Sequence, residues 1–389
     1  MSNSPLAAAY IVAARRSALG RIGGLHRARR LDELTVPVLL AALADARLAP
    51  ERVEEIILGN ASSGGNPARL IALAAGLPET ASASTIDRQC GSGLDAIVAA
   101  IRTIMGGEAD VMVAGGAESL STAPWRIAKP KSLHQLPHFI GPAPAGAGGS
   151  EECQPVEASE ALAMRLGISR EAQDAYIVRA HLKAEAARDA RRFVREIVPL
   201  RPKAEEAHDQ VVGEADAEVL GRMPAFLAPT GTLTRGNTSA MCDGAAIAVV
   251  VSERIWTELD RPPALRLVAS ASQGVAPAEE ATAPIAAMGK LYGRLSGFDR
   301  SSVGILEMSE SSAAQAIALV KSLGLDDNVV NPDGGAVVRG HPFGAAGAVL
   351  VTRLFTRMAR QRNGGHPRYG AATQGAIGGL GLAALFEAV

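Results

Sequence analysis

Cys90-Gly-Ser-Gly-Leu94 opens a helical pattern in which Leu94, Ile97, Val98, Ile101 and Met105 recur at three- and four-residue steps. Gly106-Gly107 ends the pattern, and the apolar strand Asp110 to Ala114 follows. The same order returns near the other end of the chain. His341-Pro-Phe-Gly-Ala-Ala-Gly347 opens a helix running to about Arg360, Gly364-Gly365 closes it, and a strand follows near Tyr369 to Thr373. Such an internal echo predicts two duplicated halves. If a pseudo-twofold relates them, equivalent loops meet at the shared end of the sheets, and Cys90 faces His341.

Working outward, Tyr10 to Ala13, Glu55 to Leu58, Val111 to Ala114 and Ala245 to Val251 read as short strands buried on both faces. Their alternation with helical patterns predicts α/β layers. From Ser121 to Arg235 the texture changes to Pro-rich segments, an Ala- and Arg-rich helix near Arg170 to Arg192, and polar connections. This stretch is expected to be an inserted, more exposed loop domain. Residues 1–120 then form an N-terminal half completed by 236–252, and 253–389 form the C-terminal half. Arg188, Arg191, Arg192, Arg195, Arg201 and Lys203 are interleaved with Asp189 and Glu196, which predicts a solvated face rather than a phosphate site.

Composition narrows the function classes. The 389 residues are 48% apolar and 20% charged, enough for a large core, while aromatics are only 3%, so small aliphatic residues must fill it. Thirty-nine Lys and Arg against 40 Asp and Glu leave a net charge of −1, with no global positive field for nucleic acid or anionic lipid. The first long apolar run, Leu6 to Ala14, is too short for a membrane span and has no basic flank, so it reads as the first buried strand. Cys90, Cys153 and Cys242 are widely spaced, which argues against a disulfide framework or zinc site and for a reducing, cytoplasmic setting. His134 and His138 are interrupted by Pro137, so no metal is expected. No Gly-x-Ser-x-Gly elbow or Gly-x-x-x-x-Gly-Lys-Ser/Thr loop occurs, and Gly378-Gly-Leu-Gly381 lies too near the C-terminus to open a dinucleotide-binding unit.

A cysteine at a helix N-terminus meets unpaired backbone N–H groups and the positive end of the helix dipole, which favour thiolate. A nearby imidazole is expected to lower its pKa further. Gly91 and Gly93 remove side chains beside the sulfur, letting a carbonyl approach and amides aim at a developing oxyanion. Cys90 is therefore expected to form an acyl-thioester, with His341, in a glycine-rich loop, as its base. Cys242 and Cys153 are read as inert thiols.

Over nearly its whole length the chain resembles the thiolases, acyl-CoA C-acyltransferases that cleave or form β-ketoacyl-CoA. The blocks that carry the resemblance are Cys90 to Leu94, Ala114-Gly-Gly-Ala-Glu-Ser-Leu-Ser121, Gly231-Thr-Leu-Thr234, Asp243-Gly-Ala-Ala246, and Asn331 to Gly347 with its Gly-His-Pro-x-Gly core. The resemblance implies two similar α/β halves forming a five-layered αβαβα core, with a loop domain covering coenzyme A. It implies Cys90 as the acyl-accepting nucleophile, His341 as its activator, and Ser239 as a contact for the pantetheine arm. Coenzyme A and acyl-CoA would be substrates, with no covalently bound cofactor, and the assembly a homodimer or tetramer. The short Trp125 to Ser150 stretch favours the dimer.

Two positions depart from the family pattern. Glu307-Met-Ser-Glu-Ser-Ser-Ala-Ala-Gln315 stands where the family carries Asn-Glu-Ala-Phe, placing Ser309 at the Asn, which helps hold an oxyanion-hole water, and Ser312 at the Phe. Glu310 is kept. A shorter, rotatable hydroxyl at 309 is expected to weaken preorganisation. Gly375 stands where the family's second cysteine exchanges protons with the α-carbon. General acid-base catalysis contributes about 10²- to 10⁴-fold, so thiolysis is expected to suffer more than acylation of Cys90. Two other readings therefore stand beside a thiolase: a biosynthetic condensing or acyl-transfer enzyme needing no second cysteine, and a degenerate acyl-CoA-binding partner subunit.

Overall fold

The computed structural model describes residues 8–139, 155–201, 207–211, 213, 215–361 and 366–389. Cys153, Lys203, Gly364, Gly365 and the start of the Leu6 to Ala14 run lie outside them. Among the described residues the longer strands are β1 (Ala9–Arg16), β2 (Glu55–Gly59), β3 (Ser82–Ile86), β4 (Val111–Glu118), β5 (Cys242–Ser252), β6 (Leu265–Gly274), β7 (Val303–Ser309), β8 (Tyr369–Ala376) and β9 (Leu380–Ala388). They hydrogen-bond in the order β3-β2-β4-β5-β1 and then β6-β9-β8-β7. Three pairs, β3 with β2, β2 with β4, and β7 with β8, are parallel. Beyond β7 a parallel bridge from Leu306 to Val330 stands where β3 stands in the first half. Each half thus repeats one topology, as the echo predicts, with the last strand of the second half reduced to a bridge.

Alternation along the strands explains the layers. In β5, Ala246, Ala248 and Val250 face one apolar core while Ala245, Ile247, Val249 and Val251 face another. In β9, Leu382, Ala384 and Phe386 join that first core, and Ala383 and Leu385 enter a third. Side chains of period two on sheets covered on both faces leave no polar face to solvent. The central core holds helices α1 (Ser92–Met105) and α2 (Ala346–Phe355), and the outer cores are closed by the helices Leu31–Asp45 and Pro67–Ala74 on one side and Ala283–Gly293 and Ala313–Leu323 on the other. This is the five-layered α/β/α/β/α order.

α1 and α2 approach backbone to backbone. A Cβ at Gly93 would stand 2.6 Å from the Gly344 carbonyl oxygen, and one at Gly347 would stand 2.5 Å from Leu94 Cβ. Gly93→Ala is therefore expected to destabilise the protein by about 1–3 kcal/mol through overpacking and to separate the Cys90 and His341 loops. Urea unfolding and the rate of Cys90 acylation check the two effects.

Between Ser121 and Arg235 the described residues form no long strand; the helices Pro155–Arg165, Arg170–Asp189 and Ala217–Arg222 and a two-residue pairing of Ile127–Ala128 with His138–Phe139 are its regular elements. The basic cluster is not wholly solvated: Arg192 reaches inward to Asp333 at 2.5 Å, while Arg188, Arg191 and Arg195 are exposed. Its partner is a buried carboxylate, which composition does not reveal.

Candidate active site

The site forms at the C-terminal ends of the parallel strands. Cys90 precedes α1, and Gln89 before it adopts φ +53°, a left-handed turn that brings the chain sharply from extended backbone into the helix. Ser92 secures this turn, its hydroxyl donating to the Gln89 carbonyl at 2.6 Å and accepting from the Arg88 amide at 2.8 Å. Cys90 is 8% exposed. Its sulfur accepts from its own amide and from that of Ile377, yet burial, followed by the nearby Glu280 and Glu118 carboxylates, pushes the thiol up to about 12. The expectation of a helix-stabilised thiolate is thus corrected. Desolvation and two carboxylates outweigh two amides.

Ser309 ends β7 beside Gln374 of β8, and its hydroxyl is 2.8 Å from His341 Nδ1. Ser309 is only 6% exposed, and its shorter side chain meets the imidazole directly. Desolvation lowers His341 to about pH 4, so at neutral pH the ring is uncharged. It cannot act as the cation that lowers the Cys90 pKa; it has a free electron pair to accept a proton. Ser239 lies on the adjoining strand-like segment, its amide donating to the Ser311 carbonyl at 3.0 Å, and the His341 amide donates to Ala240 O at 2.8 Å. Ser239, Ser309 and His341 are thereby brought together. Ser312 instead caps the helix Ala313–Leu323 by accepting from Gln315 N.

Two buried carboxylates fix the loops. Glu118 accepts from Asn60 Nδ2 (2.9 Å), the Ala61 and Ser62 amides (3.1 Å each) and the Gly344 amide (3.0 Å), tying the His341 loop to the first half. Glu310 accepts from Asn331 Nδ2 (2.5 Å), Tyr176 OH (3.1 Å) and the Ala336 amide (2.6 Å). Burial raises the pKa of both.

Gly375 follows Gln374 at the end of β8, and the Gln374 Nε2 donates to the Cys90 carbonyl at 2.7 Å. The atoms nearest a Cβ at Gly375 would be Gln315 Nε2 at 3.5 Å and Pro284 at 3.6 Å, ordinary contacts. Cys242 is fully buried against Gly340, its thiol pushed well up by burial, and its amide donates to the His341 carbonyl at 3.1 Å. Gln374, Ile377 and Glu280 were not singled out from the sequence. An amide acts through its backbone whatever its side chain, and one buried glutamate in Pro277-Ala-Glu-Glu-Ala-Thr282 looks like its exposed neighbour Glu279. No group of three metal-ligating side chains is found among the described residues, and no helix there is long and apolar enough to cross a membrane.

Comparison with known proteins matches residues 9–254 to the family model "Thiolase, N-terminal domain" and 261–388 to "Thiolase, C-terminal domain". An acetyl-CoA acetyltransferase of Allochromatium vinosum is 37% identical over 401 residues, covering 97% of this chain and 98% of that protein. A 3-oxoadipyl-CoA/3-oxo-5,6-dehydrosuberyl-CoA thiolase of Escherichia coli is 34% identical over 405 residues, covering 98% and 99%. The crystal structure of the Bacillus anthracis acetyl-CoA acetyltransferase superimposes with a TM-score of 0.91 at 32% identity over 100% of both chains. Human mitochondrial 3-ketoacyl-CoA thiolase, solved in complex with CoA, gives 0.89 at 27% identity over 99% and 98%.

Proposed function

The chain belongs to the thiolase family, and from that premise we propose that it is an acyl-CoA C-acyltransferase that carries the acyl group on Cys90. The observation that carries this reading is Gln374, which pairs with Ser309 in the sheet and donates to the Cys90 carbonyl, and so links a buried thiol with two amides on its sulfur to a neutral histidine held by Ser309. In the tautomer with Nδ1–H donating to Ser309 Oγ, Nε2 keeps its electron pair and takes the Cys90 proton as the sulfur attacks the thioester or 3-keto carbonyl. The amides of Cys90 and Ile377 are the donors for the oxyanion that forms there. Ser239 would meet the pantetheine arm of coenzyme A, and the loop domain, residues 121–235 between halves at 1–120 with 236–252 and at 253–389, would cover it.

Intact-protein mass spectrometry after mixing with acetyl-CoA or acetoacetyl-CoA tests the proposal, with a thiolysis assay alongside. An acyl adduct mapped to Cys90 is expected. No adduct with these or longer acyl-CoAs would favour a binding-only subunit. Because Gly375 carries no side chain, a condensing enzyme is the second reading, and acylation without thiolysis, together with a preference for malonyl-type donors, would favour it. Ser309→Ala should slow acylation about five- to tenfold, the equivalent of one hydrogen bond of roughly 1 kcal/mol, and Ser309→Asn should recover most of that loss; rapid-quench kinetics decides.

We take the protein to be a cytoplasmic homodimer. The free thiols of Cys90 and Cys242 fit a reducing compartment. The edge strand β3 is half-exposed, and on the helix beside it Leu70 and Leu73 are 57% and 47% exposed, an apolar rim that a second copy would cover.

A further inference from the structure

The loop after β8 threads the reacting thiol and one further buried acid. Gln374 donates to the Cys90 carbonyl, Gly375 contributes no side chain, and the Ile377 amide meets the Cys90 sulfur. One residue later, the Gly378 amide donates to Glu280 Oε2 at 2.9 Å. The Glu280 segment is fixed against this loop by Val275 N donating to Gly379 O at 2.8 Å, and Gln315 Nε2 donates to Ala281 O at 3.2 Å. The same Gln315, with Pro284, borders the space into which a side chain at 375 would project. Glu280, Gln315 and Pro284 therefore stand together against the loop whose Ile377 amide meets the Cys90 sulfur.

Glu280 is 8% exposed. The hydrogen-bond donors on its carboxylate are the backbone amides of Gly378 and Gly379, and no described ion pair involves it. A buried carboxylate without a cation is costly while charged and holds its proton more firmly. Burial raises its pKa, and its charge in turn raises that of Cys90. A purely structural cap on two glycine amides would not need an ionisable group beside the nucleophile.

Building on the acyltransferase reading, we infer that Glu280 is the second acid-base group of the reaction, exchanging the proton at the substrate α-carbon that the residue at 375 cannot exchange. In the condensing direction the Glu280 carboxylate removes a proton from C2 of acetyl-CoA, and the C–H electron pair becomes the enolate. The enolate carbon attacks the S-acetyl carbonyl, a carbon–carbon bond forms, and the carbon–sulfur bond breaks to release Cys90 as thiolate. In the cleaving direction Cys90 attacks the 3-keto carbonyl and the C2–C3 bond breaks. Its electron pair remains on C2 and takes the proton from Glu280. Each step conserves protons and electrons between substrate, Cys90 and Glu280, with His341 serving the sulfur.

The test uses the full-length protein with acetyl-CoA in D2O, reading Cys90 acylation by intact mass and deuterium entry at the acetyl methyl of acetyl-CoA by NMR. Glu280→Gln, which keeps shape and amide contacts, should lower the ratio of exchange to acylation by about 10²-fold or more. Glu280→Met should do the same. Gly375→Cys in the Glu280→Gln background should restore exchange, a Cβ at 375 making only ordinary contacts with its nearest neighbours. An unchanged ratio in both Glu280 variants would overturn the assignment, as would a wild-type protein that acylates but never exchanges. Absence of wild-type acylation would instead overturn the acyltransferase reading and this inference with it.

Discussion

Cys90→Ala should show no acyl adduct on incubation with acetoacetyl-CoA and a thiolysis rate lower by about 10⁴-fold or more, the scale seen when a nucleophile that acts as a unit with its base is removed. The loss should be in turnover rather than in binding. Alanine fits where the thiol lies, the turn at Gln89 is kept by Ser92, and the Cys90 carbonyl still accepts from Gln374. Coenzyme A affinity, measured by calorimetry, should change less than threefold. The wild-type pH profile adds a second check. A free thiol ionises near pH 8.5, but here the thiol is pushed up to about 12 and the imidazole down to about 4, so the neutral pair persists between those values. Acylation should lack an inflection near pH 8.5. A profile rising tenfold per unit between pH 7 and 9 would mean that preformed thiolate is the reactive species.

The largest stability effect should come from a residue outside the site. Glu196→Ala should cost about 3–5 kcal/mol, as when one member of a buried ion pair is removed. Glu196 is fully buried and accepts from Arg16 Nε of β1 at 2.8 Å and from Arg353 Nη1 of α2. Arg16 is also held by Asp209 at 2.6 Å, and Arg353 by Asp333, while the Arg353 guanidinium lies 4.7 Å from the Phe193 ring centroid. This network fastens Phe193, Glu196 and Asp209 to β1 and α2, reinforced by the Arg16 amide donating to Glu196 O at 2.9 Å. Without the carboxylate, two guanidinium groups with no water to replace it share less negative charge. Thermal and urea melts of Glu196→Ala and of the neutral isostere Glu196→Gln measure the effect, and a melting temperature within a degree of wild type for both would refute it. Asp209 and Asp333 have pKa values lowered in the folded state, chiefly by Arg16 and Arg353 against the cost of burial. Their stabilisation is present above the unfolded carboxylate range, near pH 4, and is lost as pH falls through the lowered folded values.

The parts of the molecule legible in the sequence are those governed by local periodicity. The steps from Leu94 to Met105 and the apolar runs at Tyr10, Glu55, Val111 and Ala245 became α1, β1, β2, β4 and β5 because their burial demands repeat every few residues. The glycines of Cys90 to Gly93 and of His341 to Gly347 read as openings for a ligand, and in the fold Gly93 and Gly347 are where α1 and α2 touch. What escaped was set by burial among distant segments. The thiol of Cys90 reads as acidic from its helix and is the reverse once Glu280 and Glu118 approach it. The contact of Ser309 with His341 Nδ1 joins residues 32 apart in the chain and has no local signal. Arg192 reads as solvated and reaches Asp333.

The repeated topology of the two halves carries a stoichiometric consequence. A perfectly symmetric ancestor would present two nucleophiles and two bases about its axis, and so two charges of cargo per chain. Here the first copy keeps the thiol at the mouth of α1, while the second keeps the imidazole before α2, and Cys242 lies sealed against Gly340. Each copy thus presents the group that the other does not. Doubling the architecture has therefore not doubled capacity: one chain holds one acyl group at a time, and neither half alone is a transferase.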